Sequence, residues 1–261
     1  MDRWMLNTFP TWELVIFHLG GAVLIGVGGF FLVRKLVPSV GEHAEGRGTS
    51  SAFGLATGLF SFVLAFTIGQ LYANFTRANG NAKAEATALT QVLRTSEGLE
   101  PGLRLKIQTE ALDYAATVRT QEWKLMEHGK SSVTAWQNID SMYDSLEAAR
   151  TSSDSNPFYG QTLARVNDLV VARRTRLDDS NIALPAIFQV LLLVGALLAL
   201  ATTFTFKPYG EGIQIVMIGL ASAMVGLAML VALMLDYPYS GSIAVSSAPF
   251  REATLILLSG I

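Results

Sequence analysis

Gly48–Thr76 reads GTSSAFGLATGLFSFVLAFTIGQLYANFT, a run with no Asp, Glu, Lys or Arg. Crossing ~30 Å of hydrocarbon takes about 20 helical residues, so this run is long enough to span a bilayer. Three more charge-free stretches share the property: Leu14–Val33, Ser180–Phe206 and Gly212–Leu235. Just over half of the 261 residues are hydrophobic and 15% are charged. Of the 19 basic and 21 acidic residues, 27 lie between Arg77 and Asp179. The asymmetry predicts an all-α membrane protein with four transmembrane helices, two on either side of a helical-bundle extramembrane domain. Transmembrane helices 1 and 2 are expected within residues 1–76, the bundle over 77–180, helices 3 and 4 over 181–236, and an interfacial tail over 237–261. The first apolar segment outruns a signal-peptide core, and no A-x-A-like site follows it before Arg34-Lys35. It therefore reads as a retained helix.

Around the quoted run, the other spans fall at about 12–33, 184–206 and 212–235, the last two joined by a Lys207-Pro208-Tyr209-Gly210 turn. Gly20-Gly21, Gly26 and Gly28-Gly29 thin one side of the first span for close helix contact in lipid. Beyond the second span, Ala82, Ala86, Leu89 and Leu93 keep helical spacing, which continues that span as one long helix. Pro101 suits a first helical turn, and Leu103, Ile107, Ala111, Tyr114, Val118 and Leu125 follow with a period near 3.6. Gly129 stops this helix. Ser131 or Ser132 caps the next, which carries Trp136, Ile139, Tyr143 and Leu146. Asn156-Pro157 opens a fourth helix through Leu163, Val166, Val170 and Leu177. Helices of this length joined by short loops predict an antiparallel bundle.

The composition excludes several kinds of chemistry. With no cysteine there is no disulfide, thiolate or iron–sulfur site. A net charge of −2, with no basic stripe interleaved by aromatics, gives no sign of a nucleic-acid partner. The three histidines assemble neither a Ser-His-Asp constellation nor an H-E-x-x-H motif, and no phosphate-binding loop occurs. Glu42-His43-Ala44-Glu45 reads as a solvated loop rather than a metal cluster. The expectation is no catalytic residue, no metal and no cofactor. His18 is the one ionisable group inside a span, and it reads as an interfacial or packing histidine. Intramembrane carboxylates of the sort that pumps and ion-coupled carriers use are absent.

The second span carries two adjacent stripes. Gly54, Gly58, Ser61, Ala65 and Gly69 are small and suit close helix packing. Leu55, Leu59, Phe62, Phe66 and Gln70 are bulkier. One reading keeps both for packing inside a subunit. The other sets the bulky stripe around a central axis, where Leu59, Phe62, Phe66 and Gln70 line a pore gated by dewetting. At the end of the fourth span, Asp236 sits in Leu235-Asp236-Tyr237-Pro238-Tyr239-Ser240-Gly241. It is expected either to pair with Arg173, Arg174 or Arg176 at a structural corner, or to face ions at a pore mouth. Near the membrane, seven basic residues flank the bundle side and four the short loops. That favours a cytoplasmic bundle, although Arg34-Lys35 beside the first span pull the other way.

Phe66, Tyr72, Glu85-Ala86, Tyr114, Glu122-Trp123, Arg173 with Arg176-Leu177, Leu184-Pro185 and the Leu235-Asp236-x-Pro238-Tyr239-x-Gly241 tail resemble the bacterial bestrophin-like domain family of membrane proteins. That family is distantly similar to bestrophins, pentameric anion channels whose second helix forms a hydrophobic neck. No acidic calcium clasp is legible, so the resemblance does not carry over calcium gating or anion selectivity. It implies a homo-oligomeric, pentameric ion channel of the bacterial inner membrane, a multi-pass protein whose partners are lipid, further copies of itself and small inorganic ions. The alternative is a non-conducting membrane scaffold or sensor whose bundle recruits a partner.

Overall fold

The computed structural model describes residues 2–37, 47–153, 155–204 and 210–258. Among them the helices run α1 (Asp2–Thr8), α2 (Thr11–Leu36), α3 (Arg47–Ser96), α4 (Pro101–Thr117), α5 (Trp123–Met126), α6 (Val133–Ser153), α7 (Pro157–Asn181), α8 (Ala186–Thr203), α9 (Glu211–Asp236) and α10 (Ala248–Leu258). A π-helical turn, Val118–Glu122, joins α4 to α5. Four helical stretches are long and apolar enough to cross a membrane: Thr11–Leu36, Gly54–Ser96, Pro157–Thr203 and Glu211–Asp236. The chain divides into two compact units, Met1–Ala73 with Ala183–Asp236, and Asn74–Ile182 with Tyr237–Ile261. The Glu42–Glu45 stretch and the Lys207-Pro208-Tyr209 part of the expected turn lie outside the described residues.

In the membrane unit, α2 packs against α9 through small residues. Lipid tails are as apolar as side chains, so close packing rather than the hydrophobic effect holds such helices together. A Cβ added at Gly226 would lie 2.6 Å from the His18 carbonyl oxygen and 2.7 Å from the Ala22 Cβ. Gly26 faces the fully buried Ser222 just as closely. On α8, Gly195 receives the ring of Phe60, whose Cδ2 would stand 2.8 Å from an added Cβ. Of the glycines expected to thin the first span, Gly26 and Gly29 meet neighbours, whereas Gly20, Gly21 and Gly28 face open space.

The bundle unit uses the expected punctuation. Pro101 occupies the first turn of α4. The Ser132 hydroxyl accepts from the Ala135 N–H at 3.3 Å, which settles the α6 cap on Ser132. The Asn156 side chain accepts from the Phe158 N–H at 2.9 Å and caps α7. Gly129, at φ 69°, turns the chain after α5, a conformation glycine adopts without Cβ strain. Leu89 and Leu93 of α3 join Ile107, Ile139, Leu146 and Val166 in the core.

One register differs from expectation, with a local cause. The 3.6-residue period places Leu125 on the core face, but Met126 is fully buried there and Leu125 only partly. The π turn admits an extra residue, so the buried face steps Tyr114, Val118, Glu122, Met126 in intervals of four. The tail, expected at the membrane interface, also supplies Tyr239, Val245, Phe250 and Ala253 to the bundle's core clusters. The Trp123 indole N–H donates to the Val245 carbonyl at 2.8 Å, and the Tyr239 hydroxyl to the Ala78 carbonyl at 3.1 Å. Burying Phe250 alone is worth about 1.5–3 kcal/mol.

Candidate functional site

The second span has three distinct faces. Phe60, Leu64 and Leu71 form the packed one, with Leu71 buried and Phe60 seated on Gly195. Around the helix, Leu55, Leu59, Phe62 and Phe66 are exposed at 66, 59, 71 and 62%, with Gln70 exposed beyond them. Between these faces, Gly54, Gly58, Ser61, Ala65 and Gly69 are also exposed, and a Cβ at any of the three glycines would meet nothing within 4 Å. Only 6% of the apolar stretch of this span is buried by the rest of the chain, against 17, 17 and 28% in the others.

Asp236 ends α9 and is nearly buried. One carboxylate oxygen accepts from the Leu184 backbone N–H at 2.6 Å, the other from the Gln189 side-chain amide at 3.4 Å. It thereby ties the Leu184-Pro185 approach to α8. The arginines expected as its partners, Arg173 and Arg176, take Glu122 and Glu85 as carboxylate partners inside the bundle unit.

These four side chains form a fully buried ionic cluster. Arg173 Nη2 donates to Glu122 Oε1 at 2.6 Å and to the Ser132 carbonyl at 2.9 Å. Arg176 grips Glu85 with two donors, Nε and Nη2, the latter at 3.0 Å, and reaches Glu122 Oε2 at 2.8 Å. The Tyr114 hydroxyl donates to Glu85, and the Ser132 N–H adds a 3.1 Å bond to Glu122. Two carboxylates and two guanidiniums sum to zero, the condition under which buried charges are tolerated. Aromatic faces close the shell: Arg173 Cζ lies 4.2 Å from the Trp136 ring centroid, and Arg176 Cζ lies 5.0 Å from that of Trp123. Burial works to raise the Glu122 pKa, but Arg176 and Arg173 outweigh it and hold the carboxyl below its ordinary value. Burial, then the Glu85 charge, pushes the Tyr114 hydroxyl well up. What the cluster does is electrostatic: it locks α3, α7 and the π turn in one register.

Reading for apolar periodicity misses the cluster, because a charged residue at a core-phase position registers as a break in the stripe. The signal was nonetheless present. Arg173 and Arg176 continue the Val166–Leu169 stripe, Glu85 sits between Ala82 and Leu89, and Glu122 follows Val118 by four. Two acids and two bases in core phase on separate helices invite pairing. Among the described residues no group of three or more His, Cys, Asp or Glu is placed to hold a metal.

The class defined by this arrangement is an all-α membrane protein with four spans and a helical bundle organised by a buried ionic cluster. Comparison makes the identification specific: the family model for the bestrophin-like domain matches residues 20–250, and the chain belongs to that family. The fold agrees. A crystal structure of a substituted bacterial bestrophin homolog from Klebsiella pneumoniae is similar at a TM-score of 0.74 and 15% identity, over 95% of this chain and 97% of that one. Another structure of a Klebsiella pneumoniae bestrophin homolog gives 0.73 and 15%, over 94 and 97%. A structure described as a membrane protein gives 0.71 and 16%, over 94 and 97%. No curated protein matches the chain. Glu85, Tyr114, Glu122, Trp123, Arg173, Arg176 and Tyr239, scattered along the sequence when they carried the resemblance, lie together around the ionic cluster.

Proposed function

We propose that the protein assembles into a homo-oligomeric ion channel of the bacterial inner membrane, with the second span of each copy set around a central axis. The observation that carries this reading is the double exposure on α3, where a small stripe and a bulky stripe are both left uncovered by the chain. A helix facing only lipid needs no such division. Small residues admit a neighbouring helix closely, and bulky apolar ones narrow an axis into a dry barrier. Phe62 and Phe66, one turn apart, form the neck, with Leu59 before them. Gln70 offers ions a polar partner without a fixed charge, so selectivity is modest. Membership of the bestrophin-like family supports the channel reading, and the likeness to bestrophins supports five copies. The seven-to-four basic count supports a cytoplasmic bundle.

The test is ion flux through the purified protein in liposomes. Phe62→Ala with Phe66→Ala widens the neck and raises flux while the oligomer keeps its size. Phe60→Ala, which removes a ring packed on Gly195 rather than one on the exposed stripe, leaves the neck intact. If neither wild type nor the double variant conducts any small ion, the channel reading fails, and the alternative of a non-conducting scaffold or sensor takes its place.

A further inference from the structure

Side-chain bonds fix the order in which the long helices of the bundle unit stand around its core. Tyr114 of α4 donates to Glu85 of α3, and Ser145 of α6 donates to Glu110 of α4 at 2.7 Å. Tyr143 of α6 donates to Asn167 of α7 at 2.6 Å, and Arg176 of α7 returns to Glu85. The cycle therefore runs α3, α4, α6, α7. α3 and α6 stand on one diagonal, and their outward faces point to opposite sides of the bundle.

Those two faces carry opposite charge. Between Ala73 and Ser96 the exposed charges of α3 are Arg77, Lys83 and Arg94, and the one acid, Glu85, is buried. On α6, Asp140, Asp144 and Glu147 are exposed, with no base before Arg150. Among the described residues Arg94, Asp140 and Asp144 take part in no ion pair. The α6 face also lacks cations of its own. Burial raises the neighbouring Glu110 carboxyl above its ordinary value; Ser145 and Lys106 pull against this, and the Asp144 and Asp113 charges add to it.

The two faces also share a level. Arg176 of α7 bonds Glu85, while Asp179 of α7 bonds Arg77 and Asn81, so α7 runs antiparallel to α3. Arg94 lies nine residues after Glu85 on α3, and Asn167 lies nine residues before Arg176 on α7. At 1.5 Å per residue both stand roughly 14 Å from the ionic cluster, on the same side of it. Asn167 holds Tyr143, so the adjacent Asp144 stands level with Arg94. Lys83 lies on the other side of Glu85. Arg94 also continues the small stripe of the second span, following Gly58 by thirty-six residues, or ten helical turns. Thr76 and Thr87, on the same side of α3, are exposed and short.

We infer that the α3 face around Arg94 docks on the α6 face around Asp144 of the next copy, head to tail. The inference rests on the homo-oligomer of the proposed function and is independent of conduction. Copies arranged around an axis along the bundle meet at equal levels, which pairs Arg94 with Asp144 and leaves Lys83 out. A contact between two different faces, repeated from copy to copy, closes a ring. The opposite signs also reject the reversed contact, since α3 against α3 sets Arg94 on Arg94.

The chain has no cysteine, so introduced thiols are the only ones. Full-length Arg94→Cys with Asp144→Cys, treated in the membrane with a short bifunctional thiol reagent, should give a ladder of products beyond two copies on a denaturing gel. Lys83→Cys with Asp144→Cys, displaced by about 16 Å along α3, should not. Separately, Arg94→Asp loses an exposed ion pair and gains a like-charge one, which moves dissociation on dilution about tenfold in concentration. Arg94→Asp with Asp144→Arg should reverse that shift. An oligomer of unchanged size with no ladder overturns this pairing of faces and leaves the homo-oligomer standing. Products that stop at two copies and form with Arg94→Cys alone show α3 against α3 and overturn it as well. Failure of the double charge exchange to recover assembly counts against it equally, and a monomeric wild type removes both the pairing and the oligomer reading.

Discussion

Replacing Glu122 by Gln tests the ionic cluster directly, because the two side chains have nearly the same shape. The carboxylate accepts three bonds: Arg173 at 2.6 Å, Arg176 at 2.8 Å and the Ser132 N–H at 3.1 Å. A carboxamide keeps one acceptor oxygen and turns its amino group toward a donor in either orientation. It also leaves a net positive charge where the side chain is 0% exposed. Removing one partner of a buried ion pair costs about 3–5 kcal/mol. At ~1.4 kcal/mol per decade, bundle amides that exchange through opening of the unit should exchange about a hundred- to several-thousand-fold faster. Hydrogen–deuterium exchange on the full-length protein reads this out, with Glu147→Gln as control, since the Glu147–Arg150 pair is about two-thirds exposed on both sides. Adding Arg173→Met to Glu122→Gln restores neutrality around the surviving Glu85–Arg176 pair and should recover much of the protection. The dependence on pH has a definite sign. Glu122 titrates below its unfolded value of about 4.3, so its contribution is complete above that pH and is lost as pH falls through the folded value. The gap between wild type and Glu122→Gln should therefore be constant around neutrality and close on acidification. Exchange in Glu122→Gln no faster than in Glu147→Gln would refute the reasoning.

Gly226→Ala should destabilise the α2–α9 contact by about 1–3 kcal/mol, because its Cβ meets the His18 backbone, whereas Gly219→Ala meets nothing and should be silent in a detergent melt. Sidedness can be read with an impermeant thiol reagent on intact cells. A cytoplasmic bundle requires labelling of Gly212→Cys but not of Ser155→Cys, both exposed positions, and the opposite pattern would reverse the topology.

Charge-free length is a one-dimensional property, and it alone determined the four spans: lipid offers backbone groups no partner, so an uncharged run of that length in a membrane becomes a helix. Caps were equally local, with Pro101, Asn156 and Gly129 acting within a turn of themselves. The division of the second span into small and bulky stripes was also legible, since a helical wheel needs no partner to draw. Which stripes the chain covers was not, because that depends on Phe60 meeting Gly195, far away in sequence. The burial of Arg173, Arg176, Glu85 and Glu122 had the same dependence. Each charge is tolerable in the core only because the others, up to 91 residues distant, arrive with it. Hydropathy scores residues singly and so reads four charges as surface. The π turn completed what periodicity could not foresee: one extra residue in α4's continuation brings Glu122 into step with Met126 and faces it to the arginines. Tertiary structure decided the core of the bundle because pairing energy belongs to sets of residues, whereas the solvent preference that drew the spans belongs to each residue alone.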